Sequence, residues 1–314
     1  MADARIESPR HRIIPDRPVR WGRLERVRSS GLGIFSIDSF PPALDSLAKR
    51  QAPARSLEED AMTHDGTGMS LASYRDLVEA LLKKGYAITD YEGFDPNQRH
   101  LMLRHDVDLC LSRAVEMAEA EQAMGVSSYY FILLNTEMYN AGSAMGRRAI
   151  RRFAELGHQV GLHFDHSEIQ EGDLAGLDEA IRRECSVLEN VASNAVRAVT
   201  FHRPSKWLQG LGAIGGRPHG YQTRFFSPDR YCSDSEGRFR FHHPLAHPAV
   251  LSGRGLHLVT HPIWWCAEVT EGPLEKLERF YEQLSVRLAS EIAANCRPFR
   301  QRMRKPLPAR PSVS

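Results

Sequence analysis

The stretch 101-LMLRHDVDLCL-111 decides how this chain is read. It opens as a buried strand, with Leu101, Met102 and Leu103, and then sets Arg104, His105, Asp106 and Asp108 within five residues. Charges at that density are costly inside a strand unless something neutralises them. Residues two apart on a strand share a face, so Asp106 and Asp108 point to one side while His105 and Val107 point away. Two carboxylates held that close repel each other, and a shared proton or a cation relieves them.

Three further stretches end the same way. The strand 158-HQVGLHF-164 closes on His163, with Asp165 and His166 just beyond; 196-VRAVTFH-202 closes on His202, followed by Arg203; 255-GLHLVTH-261 closes on His261. Between them run helical patterns over 112–124, 145–156, 173–193 and 272–295, with Gly125 and Gly157 as stop signals and a buried strand, 127-SSYYFILL-134. An earlier helix begins at a cap, Ser70 or Ser73, and stops at Gly85. Residues 205–250, rich in Gly, Pro and aromatics, read as long loops around one or two short strands. Strand and helix in alternation argue for βαβ units and a parallel sheet, closed as a (β/α) barrel or left open and doubly wound. Either way the carboxyl ends of the strands share one face, where sites are built. A single histidine at a strand end is unremarkable; their recurrence there beside two aspartates points to a mixed nitrogen and oxygen site suited to zinc or another divalent first-row metal.

The rest of the chain bounds this reading. Its 314 residues, 42% hydrophobic and 25% charged, suffice for one large domain. A formal net charge of +2 gives no argument for a nucleic-acid partner. Both ends are basic: residues 1–66 read as a Pro-containing, weakly structured extension with one short strand at 31-GLGIF-35, 67–296 as the barrel, and 297–314 as a disordered basic tail. Five scattered cysteines without a Cys-x-x-Cys pair fit a reducing compartment. With no apolar leader in the first thirty residues and no run long enough to cross a bilayer, the expectation is a cytoplasmic protein without membrane insertion. No phosphate-cradling glycine motif follows the first strand, so nucleotide binding has little support.

Taken together, 103-LRHDVD-108, 157-GHQVGLHFD-165, 200-TFHRPS-205 and 258-LVTHPIWW-265 resemble, in order and spacing, the motifs of the polysaccharide deacetylase (NodB-like) family. The similarity is strongest to a divergent branch encoded among bacterial surface-polysaccharide genes, and 231-YCSDSEGRF-239 looks like that branch too. It covers about residues 70–290. The resemblance implies a distorted (β/α) barrel of the seven-stranded type that hydrolyses N- or O-acetyl groups on a carbohydrate or sugar precursor with a divalent metal, zinc by preference. It implies Asp106 as catalytic base, Asp108 and His163 as metal ligands and His261 as general acid. The family's second ligand histidine would fall at Ser167, so His166 or His202 completes the set; the arginine that orients the base would be Arg203, or its role passes to His202. Asp165, His202 and Asp234 are assigned to substrate contact, and Trp264 and Trp265 either stack on a sugar ring or pack.

Without the family the chemistry is still coherent, since a bound divalent ion, a carboxylate base and an imidazole acid suffice to hydrolyse an amide or ester. Ser167 keeps a second reading open, a catalytically inactive barrel that binds a glycan or a protein partner. Hydrolysis of another C–N bond is a third.

Overall fold

The computed structural model describes residues 68–239, 242–267 and 271–303. The extension 1–66, with its expected strand at 31–35, and the tail beyond 303 lie outside the described residues. Helix α1 (Leu71–Lys83) starts where the sequence places it: Ser70 is the cap, and its hydroxyl accepts from the Ser73 amide at 3.1 Å while the Ser73 hydroxyl accepts from the Ser70 amide at 2.8 Å. That reciprocal box satisfies two amide donors the first turn would otherwise orphan. A two-residue strand, β1 (Ala87–Ile88), precedes β2 (His100–Val107). Then strand and helix alternate through α2 (Leu111–Ala123), β3 (Tyr129–Leu133), α3 (Ala144–Glu155), β4 (Gln159–Asp165), α4 (Leu174–Ala192) and β5 (Val199–His202). Gly85, Gly125 and Gly157 end the first three helices with φ between 71° and 86°, the left-handed turn that glycine adopts without steric cost.

After β5 the chain runs irregularly to β6 (Tyr231–Ser233), a short helix α5 (Pro248–Leu251) and β7 (Leu256–Thr260). A one-turn helix α6 (Pro262–Trp265), the long α7 (Pro273–Asn295) and α8 (Arg297–Met303) follow. Residues 297–303 of the expected irregular tail are therefore helical.

The strands form one seven-stranded sheet in the order β5-β4-β3-β2-β7-β6, with every recorded pairing parallel. Leu101 pairs with Leu256 on one side and with Ile88 on the other, so β1 occupies the lower part of the edge that β3 takes higher up. The sheet curls. Strands lie about 4.8 Å apart, which would set β5 roughly 14 Å from β2 in a flat sheet; yet His202 at the end of β5 comes within 3.6 Å of Asp108 just after β2. Among the described residues β5 and β6 do not pair, so this is a (β/α) barrel distorted by an open seam.

Period two along each strand sorts the side chains. On β2, Leu103 and Val107 face outward into the apolar layers under the helices, while Met102, Arg104 and Asp106 face the interior. On β4, Val160, Leu162 and Phe164 pack outward, leaving Gly161 and His163 inside. A Cβ on Gly161 would stand 2.3 Å from the Phe131 ring, so glycine is what lets that ring cross the interior. The inner apolar layer, with Met102, Phe131, Tyr91 and Phe225, floors the barrel below its polar mouth.

Outward-facing His105 meets a second polar cluster behind the sheet. Fully buried Glu121, on the inner face of α2, accepts from Tyr74 Oη at 2.5 Å, Ser128 Oγ at 2.6 Å and Tyr130 Oη at 2.7 Å, and stands 2.9 Å from His105 Nε2. The other ring nitrogen of His105 lies 2.7 Å from Thr260 Oγ1, which ties β2 to β7 directly behind the mouth. Burial works against the Glu121 carboxylate, but His105, His158 and the Ser128 hydroxyl outweigh it and lower its pKa to about 2.

Candidate metal and acid–base site

At the carboxyl ends of β2, β4 and β5 three donor atoms converge. His163 Nε2 is 3.1 Å from Asp108 Oδ1, His202 Nδ1 is 3.6 Å from the same oxygen, and the two ring nitrogens are 3.3 Å apart. Bonds of about 2.05 Å to a tetrahedral ion separate its ligands by roughly 3.3 Å, so this triangle has the edge lengths of three vertices around a zinc-sized cation. The donor set, one carboxylate and two imidazoles, is of catalytic zinc type, and three protein ligands leave a fourth position for water or substrate. Asp108 Oδ1 is buried without a satisfying hydrogen bond, as an atom committed to a cation would be. Burial pushes the Asp108 carboxyl up, but its pairing with His163 and His202 holds it well below the usual carboxylate range. Behind the trio, His163 Nδ1 lies 2.7 Å from Thr200 Oγ1; a proton on Nδ1 donated to that hydroxyl leaves Nε2 bare for the ion.

His166, expected among the ligands, is not one of the three. It follows the last residue of β4, where the alternation of side chains has ended, and its Nε2 bonds Ser205 Oγ at 2.8 Å. It joins the loops after β4 and β5. His202, the alternative third ligand and also an expected substrate contact, is the one that joins the cluster.

Asp106 stands on the His163 side of the trio, its Oδ2 3.8 Å from His163 Nε2. Its partner is not Arg203 but Arg104: Nε donates to Oδ1 and Nη2 to Oδ2, each at 2.8 Å, in a fully buried bidentate pair. Burial raises the Asp106 carboxyl, and the Arg104 guanidinium, joined by His163 and His261, more than reverses this, so the group is lowered. Arg104 is itself braced between the Phe131 and Tyr221 rings, with its carbon 5.6 and 5.1 Å from their centroids. Arg203 adopts φ 49°, a left-handed turn that carries its side chain out to solvent.

His261, just past β7, completes the mouth with Nε2 3.8 Å from Asp108 Oδ2. Asp234, after β6, grips it from behind: Nδ1 is 2.6 Å from Asp234 Oδ1, and the His261 amide donates to the same carboxylate. Burial disfavours the charged ring, but the Asp234 charge and hydrogen bond prevail and push its pKa up to about 9. Asp234 is fully buried, and Trp265 Nε1 donates to its second oxygen at 2.7 Å. Its oxygens are spent inside the protein on His261 and Trp265, away from the open mouth where a substrate contact was expected. Trp264 and Trp265 are buried in the apolar layer outside β2 and β7, which removes both from sugar stacking. Asp165 sits half-buried at the rim, accepting from the Ser167 amide at 2.9 Å.

No family model and no curated protein matches the chain. Among solved structures it is similar to a family 4 carbohydrate esterase from Bacillus anthracis, at 15% identity over 68% of this chain and 86% of that one, with a TM-score of 0.35. A chitin deacetylase from the fungal pathogen Colletotrichum lindemuthianum gives 13% identity, 59% and 81% coverage, and a TM-score of 0.38. A family 4 pseudoenzyme from Bacillus anthracis gives 12%, 62% and 63%, and 0.33. Scores this low transfer no activity.

Proposed function

We propose that the chain is a metal-dependent hydrolase that removes an acetyl group from a carbohydrate or sugar precursor. One observation carries the reading: a buried, ionised carboxylate and a carboxylate-backed imidazole flank a three-atom cluster with the spacing of a divalent metal site. Asp108, His163 and His202 would hold the ion, zinc by its donor set. When bound, such an ion lowers the pKa of water to about 7 and polarises an acyl oxygen.

The remaining steps belong to the chain. Asp106, kept ionised by Arg104, accepts the proton of the attacking water. Asp234 takes the Nδ1 proton of His261 in a hydrogen bond and favours the charged ring, so Nε2 presents a proton to the departing amine or alcohol. Ser167, which the motif comparison leaves as a gap, does not shorten the ligand set, because His202 supplies the third atom from a neighbouring strand. That removes the main support for an inactive barrel. The carbohydrate substrate is inferred from the motif resemblance, in which four stretches occur in register.

Acetate release from N- and O-acetylated sugars tests the proposal, with wild type compared with Asp106→Asn and with chelated protein. Release by metal-loaded wild type alone supports it. Metal-loaded protein that releases no acetate from any of them refutes the assignment while leaving the metal site standing.

A further inference from the structure

Asp106 lies on β2 and His261 just past β7, so the pairing of these two neighbouring strands sets the gap between them. That pairing stops early. Its rungs run from Leu101 beside Leu256 to His105 beside Thr260, one residue short of both side chains that face the mouth. On its other edge β7 leaves β6 sooner still, after Ser233 beside Val259. Asp234 fixes which way the His261 ring faces, but it comes from the end of β6 and does not bind β7 to β2.

The last rung carries a tie of its own. By period two His105 and Thr260 turn outward, while their successors Asp106 and His261 turn in. Both are fully buried and meet behind the sheet, with His105 Nδ1 2.7 Å from Thr260 Oγ1. A side-chain hydrogen bond therefore joins the two strands at the point where their backbones cease to pair.

The imidazole in this tie is itself held. Its Nε2 is 2.9 Å from Glu121 Oε1, and the ring packs on those of Tyr130 and Tyr74, with centroids 4.6 and 5.9 Å away. An ionised carboxylate only accepts, so the Nε2 proton points at Glu121; in the neutral ring Nδ1 then accepts from the Thr260 hydroxyl. A carboxylate, an imidazole and a hydroxyl thus form a chain from α2 to β7. Such a trio in an open cleft would suggest a nucleophile. Here the hydroxyl is sealed from solvent, and no substrate reaches it. What it can do is hold.

We propose, on the reading of Asp106 as base and His261 as acid, that His105 and Thr260 are positioning residues, which set the separation of base and acid by tying the ends of β2 and β7. Misplacing a catalytic group by 1 Å can cost about 100-fold in rate, so even a slight parting of the strands is visible in kcat. None of Asp108, His163 and His202 lies on β7, so the metal cluster stays intact.

Steady-state kinetics on an acetylated sugar, with metal content measured alongside, tests the tie. Thr260→Val keeps the shape and removes the hydroxyl, and should lower kcat about tenfold or more with KM within about twofold and metal retained. Thr260→Ser keeps the hydroxyl and should stay within about twofold of wild type in both. A valine variant that unfolds in less urea yet keeps the wild-type kcat overturns the proposal, because the hydroxyl then serves the fold alone. So does a serine variant that falls as far as valine does. Should the valine variant fail to fold, Thr260→Cys, a weaker donor, takes its place; a kcat below that of the serine variant supports the tie, and an equal one overturns it. Wild type that releases no acetate sinks the hydrolase reading separately. Crystal structures of wild type and variant then decide: a His261 ring displaced from Asp106 by about 0.5 Å or more supports the tie, and superposable side chains overturn it.

Discussion

Arg104 and Asp106 lie two residues apart on one strand, and the arginine grips both oxygens of the aspartate from inside the barrel. A lysine there keeps the charge but cannot offer two parallel donors. Arg104→Lys should lower kcat about 10- to 100-fold with a smaller change in KM. Arg203→Ala should leave both within about twofold, since an exposed side chain away from such features matters little. Steady-state kinetics of the two variants checks the assignment; the reverse ranking would return the positioning role to Arg203.

The ligand set makes a separate claim, read by elemental analysis. Asp108→Asn, His163→Ala and His202→Ala should each drop bound metal from about one per chain to below about a tenth. His166→Ala should retain it, because its ring nitrogen serves Ser205. Metal lost from the His166 variant and kept in the His202 variant would reverse the assignment.

For His261 the acid form must be present, and Asp234 sustains it. The raised pKa means the proton is held below about pH 9 and lost as pH rises through it, so activity should fall on that limb. Asp234→Asn removes the charge that raises the pKa, and the alkaline limb of the kcat profile should move to lower pH with metal content unchanged. A limb that stays in place excludes His261 as the proton donor.

Glu121 faces three hydroxyls and one imidazole nitrogen, and its two oxygens are their acceptors. Glu121→Gln turns a donor amide towards those groups and should cost about 3 kcal/mol or more, read from urea unfolding. Because its folded pKa is depressed from 4.5 to about 2, its stabilising contribution is full above pH 4.5 and is lost as pH falls towards 2. Wild type should therefore weaken across that window by more than the glutamine variant does.

Much of this was legible in the sequence because period two governs strands. The rule that pairs Asp106 with Asp108 also puts Arg104 on their face, a signal that the assignment of the orienting role to Arg203 passed over. It also separates His166 from His163, three positions away and past the strand end. What the sequence does not display is which strands are neighbours. Only the β4–β5 register, with His163 beside Thr200 and Asp165 beside His202, explains why His202 arrives at the trio. Glu121 left a faint mark, an acid four residues after Met117 and three after Ala118 on an otherwise apolar helix face, without revealing its partners. Strand β1, with two residues, is too short to show any period. The Trp264–Trp265 pair lies on a single helical turn, where sequence does not say which way an indole faces.

Trp265 donates its indole proton to the carboxylate that also secures His261. Light absorbed by that ring is therefore re-emitted beside a buried negative charge whose balance shifts whenever the histidine gains or loses its own. Protonation of the imidazole should shift the Trp265 contribution to the emission, read as the difference between wild type and Trp265→Phe across pH 7 to 10.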